Sequence, residues 1–86
     1  MLSSGKEKAL VTGASSGIGR EIARVLASQG CNLVITARRR VELEALANEL
    51  TEAFGIDVKV VVADLTDQVG VENVIKESGE IDILVN

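Results

Sequence analysis

Apolar and polar residues alternate between two rhythms along this chain. Lys8-Ala9-Leu10-Val11 is a short, mostly apolar run ending at Thr12-Gly13, the length of a buried strand. Beyond Gly17, residues Ile18, Ile22, Val25 and Leu26 recur at steps of four, three and one. That spacing predicts a helix with these four on its buried face and Arg20, Glu21, Arg24 and Gln29 turned away. Gly30 follows, where a left-handed residue closes a helix. Leu33-Val34-Ile35 is a second strand. Leu43, Leu46, Ala47, Leu50 and Phe54 mark a second helix, stopped by Gly55. Val58 to Ala63 is a third strand, and Asp64-Leu65-Thr66-Asp67 a turn with two candidate helix caps. Val71, Val74 and Ile75 predict a third, shorter helix that Gly70 weakens and Gly79 ends. Ile81 to Val85 is the fourth strand.

The order is βαβαβαβ with mostly short connections, which predicts an α/β fold with a parallel sheet and right-handed crossovers. The Leu33-Val34-Ile35 run is continuous rather than alternating, as in a parallel sheet covered on both faces. At 86 residues the chain is one domain at most, and a chain of this size buries roughly 60 to 65% of its unfolded surface.

Composition narrows the function classes. Hydrophobic residues at 47% and charged residues at 26% describe a globular domain rather than an acidic tail. A net charge of −4 and a single aromatic, Phe54, give neither a basic field nor a stacking platform for nucleic acid. No apolar run approaches the ~20 residues of a membrane span, and the polar start MLSSGKEK is followed by a run too short for a signal h-region. Cys31 is alone and histidine is absent, which removes internal disulfides, zinc-type sites and histidine-based triads and fits a reducing, cytoplasmic setting.

Between the first strand and first helix lies TGASSGIG, Thr12 to Gly19. A helix N-terminus presents unpaired N–H groups and a partial positive charge, so a loop admitting a phosphate to its backbone makes an anion site. Gly13 can take the tight turn off the strand. Gly17 leaves room where a Cβ would meet a pyrophosphate, and Gly19 lets the helix approach the sheet. The G-x-x-x-G-x-G spacing is neither the G-x-G-x-x-G fingerprint nor a P-loop, and no lysine follows Gly19.

TGASSGIG, the Ala63-Asp64-Leu65 triplet after the third strand and DILVN at Asp82 to Asn86 together resemble the classical short-chain dehydrogenase/reductases, whose motifs run TGxxxGxG, Asp-Leu or Asp-Val, then NNAG. The resemblance covers essentially the whole chain. It implies a Rossmann-type doubly wound parallel sheet of strand order 3-2-1-4, with residues 1–86 as the N-terminal part of the cofactor-binding domain. Candidate cofactor contacts in the loop are Gly13, Ser15, Ser16, Gly17, Ile18 and Gly19. Asp64 resembles the carboxylate that receives the adenine amino group, with Leu65 adding its backbone, and an ordinary turn residue is the other reading. Asn86 matches the first Asn of NNAG, at the cofactor floor.

Cofactor choice is declared at the end of the second strand, some 20 residues past the loop. There the sequence reads TARRR. Ala37 stands where NAD-preferring relatives carry Asp, and guanidinium groups bind a 2′-phosphate through charge-assisted bonds. Arg38 is the leading contact, Arg39 the second, and Arg40 faces solvent; NADP is expected over NAD. The arginines also sit at the entry of a helix, where positive charge is disfavoured and no acidic residue precedes them. One departure is Ser16, where many NADP-dependent relatives have a basic residue.

The family's reaction is hydride transfer between nicotinamide and a carbonyl or alcohol substrate, using a serine, tyrosine, lysine and asparagine that in relatives lie beyond the NNAG strand. This chain has no tyrosine and no catalytic residue is assigned in it. The expectation is an NADP(H)-dependent oxidoreductase, homo-oligomeric when full length, whose 86-residue portion binds cofactor and is inactive alone. A non-catalytic dinucleotide-sensing module is the alternative. A methyltransferase is a weaker one, since those enzymes place an acid where Ala37 sits.

Overall fold

The computed structural model describes residues 7–86. The elements run β1 (Lys8–Thr12), α1 (Gly17–Ser28), β2 (Asn32–Ala37), α2 (Arg40–Phe54), β3 (Val58–Val62), α3 (Gln68–Ser78) and β4 (Ile83–Val85). All strands are parallel, in the order β3-β2-β1-β4 that the family resemblance implies. β4 is shorter than the apolar run predicts. Its entry is fixed at Asp82, whose N–H donates to the Lys8 carbonyl (2.8 Å) and whose carboxylate accepts the Lys8 N–H (2.9 Å).

The two faces of the sheet carry separate cores. Alternate strand residues Ala9, Val11, Leu33 and Ile35 meet α1 and α2 in the larger one. Leu10, Val34 and Val61 meet Val74 of α3 in the smaller. α2 supplies Leu43, Leu46 and Leu50, spaced three and four apart and all buried. Burial of each such side chain contributes about 1.5 to 3 kcal/mol. Gly55, with φ 66°, then caps α2 by donating to the Thr51 carbonyl.

α1 differs from its predicted orientation. Ala23 and Ala27 are its buried residues, whereas Ile18 is 79% and Val25 55% exposed. Small residues face the sheet because the helix lies close against it, which leaves Ile18 and Val25 outside while Leu26 packs partly buried against the core. Arg24 does not point away either. Its guanidinium donates to both Glu49 carboxylate oxygens on α2 (2.7 and 3.1 Å) and to Glu21, tying the two helices together. Phe54, predicted to be inside, is 43% exposed at the end of α2.

Parallel registry aligns the strand ends. Thr12 pairs with Thr36, Ala37 with Val62, and Val11 with Val85, so the loops leaving the strands gather along one edge. Ligands of open α/β sheets bind at this edge.

Candidate functional site

The carboxyl edge of the sheet opens into a cleft of about 500 Å³. Three loops line it: Thr12, Gly13, Ser15 and Ser16 after β1; Ala37, Arg38, Arg39 and Glu42 after β2; Ala63, Asp64, Leu65 and Thr66 after β3. Backbone bonds join the loops, from Ala14 N–H to the Thr36 carbonyl (3.2 Å) and from Ala63 N–H to the Ala37 carbonyl (3.0 Å).

The loops after β1 and β3 are built alike. At Gly19 an added Cβ would lie 2.3 Å from the carbonyl oxygen of Gly13, and at Gly70 it would lie 2.1 Å from that of Asp64. Each helix therefore rests its glycine on the carbonyl six positions earlier. Gly70 reads in sequence as a weakness of α3; it is the contact that lets α3 approach the loop. The caps differ. Asp67 accepts the Val69 N–H at 3.0 Å and closes the end of α3, whereas Ser16 at the matching position makes no side-chain cap bond. The first-turn N–H groups of α1 are left open beside the cleft, where the helix dipole favours an anion.

Within the first loop the glycines serve different ends. Gly13 and Gly17 have φ of 65° and 61°, in the left-handed region, with nothing within 4 Å of the point where a Cβ would stand. Gly17 is thus needed for its backbone angle, a reason beyond the clearance read from sequence. Gly19 is needed for close approach. Of the sequence-predicted residues, Gly13, Ser15, Ser16, Arg38, Arg39, Asp64 and Leu65 share the cleft. Gly17 and Ile18 instead border an apolar depression along α1 with Ile22 and Val25. Asn86 meets the end of β1, its Oδ1 2.9 Å from the Thr12 hydroxyl, which also lies 3.3 Å from the Val85 carbonyl and donates to one of the two.

Charge is distributed unevenly over the arginines. Arg39 pairs with Glu42 (3.2 Å) and Arg40 with Glu44 (3.3 Å), so compensating carboxylates follow the run even though none precedes it. That weakens the argument that the run needs an anionic ligand for balance. Arg38 makes no ion pair among the described residues, and Arg40 lies outside the cleft. On the opposite wall, Asp64 Oδ1 accepts both the Thr66 hydroxyl (2.6 Å) and the Thr66 N–H (2.9 Å). The hydroxyl bond first, then the backbone bond, hold the Asp64 carboxyl below its ordinary value against desolvation, and the charge of Arg38 adds least. Glu42 and Thr66 are the cleft residues that sequence reasoning missed; the Arg39-to-Glu42 spacing of one helical turn was the available signal.

Residues 7–86 match the family model for short chain dehydrogenases. The chain belongs to that family. The very-long-chain 3-oxoacyl-CoA reductase of Anas platyrhynchos is 38% identical over 81 residues, covering 91% of this chain and 26% of that protein. A short-chain dehydrogenase from Sphingobium yanoikuyae, solved in complex with NADPH, superposes with a TM-score of 0.84 at 41% identity, over 91% of this chain and 32% of the other. L-Sorbose reductase from Gluconobacter frateurii, solved with NADPH and L-sorbose, gives 0.87 at 39% identity, over 94% and 32%. The chain thus spans about a quarter to a third of the length of these short-chain relatives. Among the described residues there is no cluster able to hold a metal ion, and no helix is long and apolar enough to cross a membrane.

Proposed function

We propose that residues 1–86 are the N-terminal, cofactor-binding part of an NADP(H)-dependent short-chain oxidoreductase, which moves a hydride between nicotinamide and a carbonyl or alcohol substrate. The observation that carries this reading is the pairing, in one cleft, of an uncapped α1 N-terminus with an Arg38 guanidinium that makes no ion pair among the described residues. The open space at Gly13 and Gly17 suits a backbone that receives a pyrophosphate. NADPH in the Sphingobium and Gluconobacter structures supports the same choice.

In this reading the first-turn N–H groups of α1 and the Ser15 and Ser16 hydroxyls hold the pyrophosphate, and Arg38, aided by Arg39, holds the 2′-phosphate. Asp64, oriented by Thr66, accepts the adenine amino group with the free lone pairs of its carboxylate, and Leu65 adds its backbone. Asn86, fixed against Thr12, braces the floor. The bound cofactor supplies the hydride chemistry. These residues bind and orient it, while the acid/base group and substrate pocket come from outside residues 1–86. The full-length protein would then be a cytoplasmic homo-oligomer acting on a small molecule.

Titration of the protein expressed from its full reading frame with NADPH and NADH tests the reading. Wild type should prefer NADPH, and the Ala37→Asp/Arg38→Gln double variant should lose roughly ten- to hundredfold in NADPH affinity, the worth of a charge-assisted bond. Unchanged discrimination between the two dinucleotides would remove the assignment of Arg38. Tight NADPH binding without turnover of any carbonyl or alcohol by the full-length protein would favour the sensing module.

A further inference from the structure

We propose that Glu42 is a specificity-determining residue of the cleft, one that reduces the advantage Arg38 and Arg39 confer on a dinucleotide bearing a 2′-phosphate. The inference rests on the cofactor reading above. Glu42 stands on the first turn of α2 and lines the cleft together with Arg38, Arg39 and Asp64. Its Oε2 lies 3.2 Å from Nη1 of Arg39, and its side chain is 39% exposed against 76% for its partner. The carboxylate is therefore the better anchored half of the pair, and it holds the arginine.

Two effects follow, both specific to a phosphate. First, Nη1 of Arg39 is committed to Glu42, so a 2′-phosphate gains the end-on Nη1/Nη2 fork only by displacing a carboxylate and otherwise has the Nε/Nη2 edge alone. Second, a phosphate dianion entering this end of the cleft meets a fixed negative charge in partly exposed surroundings, where screening is incomplete. A ribose 2′-hydroxyl suffers neither effect, because it carries no charge and can donate to the same carboxylate. Arg40 and Glu44 are paired with each other outside the cleft and do not alter this balance. The cleft thus carries an NADP determinant and, one helical turn on, a residue opposing it.

The test compares NADPH and NADH affinities of the full-length wild type with Glu42→Gln, Glu42→Ala, Arg39→Gln and the Glu42→Gln/Arg39→Gln double variant, at low and high salt. Both Glu42 variants should tighten NADPH about three- to tenfold, the scale of an exposed ion pair released plus a repulsion removed, and leave NADH unchanged or weaker. The gain should shrink in high salt and fall by about half on a logarithmic scale when Arg39 is already Gln. An unaltered or reduced NADPH preference in both Glu42 variants, with wild-type melting curves, would overturn the proposal. If wild type prefers NADPH and Arg38→Gln abolishes that preference, the cofactor reading stands and the Glu42 variants judge this inference alone. Binding of neither dinucleotide by wild type would sink both.

Discussion

Gly17 and Gly19 are two residues apart, yet the structure requires glycine at each for unrelated reasons, and substitution by alanine and then asparagine separates them. At Gly19 a Cβ would lie 2.3 Å from the Gly13 oxygen, 2.9 Å from its carbon and 3.2 Å from the Thr12 oxygen. All three are backbone atoms, so no side chain can swing aside. Restoring ordinary contact moves α1 by about 1 Å relative to β1, an overpacking cost of about 1 to 3 kcal/mol. Better helix propensity of alanine offsets up to about 1 kcal/mol, leaving a net loss between about 0 and 3 kcal/mol, centred near about 1.5 kcal/mol. At Gly17 the space is empty and φ is 61°. Alanine there costs about 1 to 2 kcal/mol for the left-handed backbone alone. Alanine therefore gives similar losses at both sites. Asparagine, which tolerates left-handed angles, should recover part of the loss at Gly17 and deepen it at Gly19, where its bulk adds to the collision. Urea unfolding of the full-length variants followed by circular dichroism reads the order directly, provided the slope is unchanged. If Gly17→Asn is no more stable than Gly17→Ala, or Gly19→Asn no less stable than Gly19→Ala, the division of roles is wrong.

Other outcomes follow from the same geometry. Because the folded carboxyl of Asp64 is held below its ordinary value, its contribution to stability is present above the unfolded pKa and lost as pH falls through the folded one; Thr66→Val keeps the backbone bond but removes the hydroxyl, so the Asp64 midpoint, followed by NMR titration, should move up. An unmoved midpoint would show that the hydroxyl does not set it. Burial, with a lesser push from the charge of Glu7, raises the Cys31 thiol pKa, so alkylation by iodoacetamide at pH 8 should be slow in the native protein and fast in urea, and equal rates would contradict the buried placement. The 86-residue chain made alone should self-associate through β4 and the apolar surface at Ile18, Val25 and Leu84, and NADPH should favour its folded form; a monodisperse, cooperative monomer in sedimentation would contradict this.

The order of elements was readable because each strand is a short, mostly apolar run and each helix carries a glycine at or near its end. The TGASSGIG loop, the arginine run and the Asp64 turn could be placed for the same reason, since a parallel sheet brings every such loop to one edge. What periodicity could not supply was depth. The Ile18-Ile22-Val25 stripe has helical spacing, but a stripe does not say which side of the helix lies close to a sheet; the glycine contact at Gly19 draws α1 in and turns the alanines inward. The value of Gly70 was hidden likewise, because a glycine inside a helix lowers propensity whether or not a carbonyl lies beneath it. Glu42 was hidden because the dipole leads one to expect compensating charge before the arginines, whereas it lies one turn after them.

The paired glycine contacts set α1 and α3 against the cleft loops through main chain. α1 is set by the carbonyl of Gly13 and α3 by that of Asp64, and neither spacing depends on the side chain at Ser15, Ser16, Arg38, Glu42 or Thr66. Dimensions and selectivity are in this way written at separate addresses. On the cofactor reading proposed above, substitutions that retune which dinucleotide is favoured can accumulate on the rim without closing or splaying the site, so that cofactors could be exchanged by repainting the walls while the frame stands.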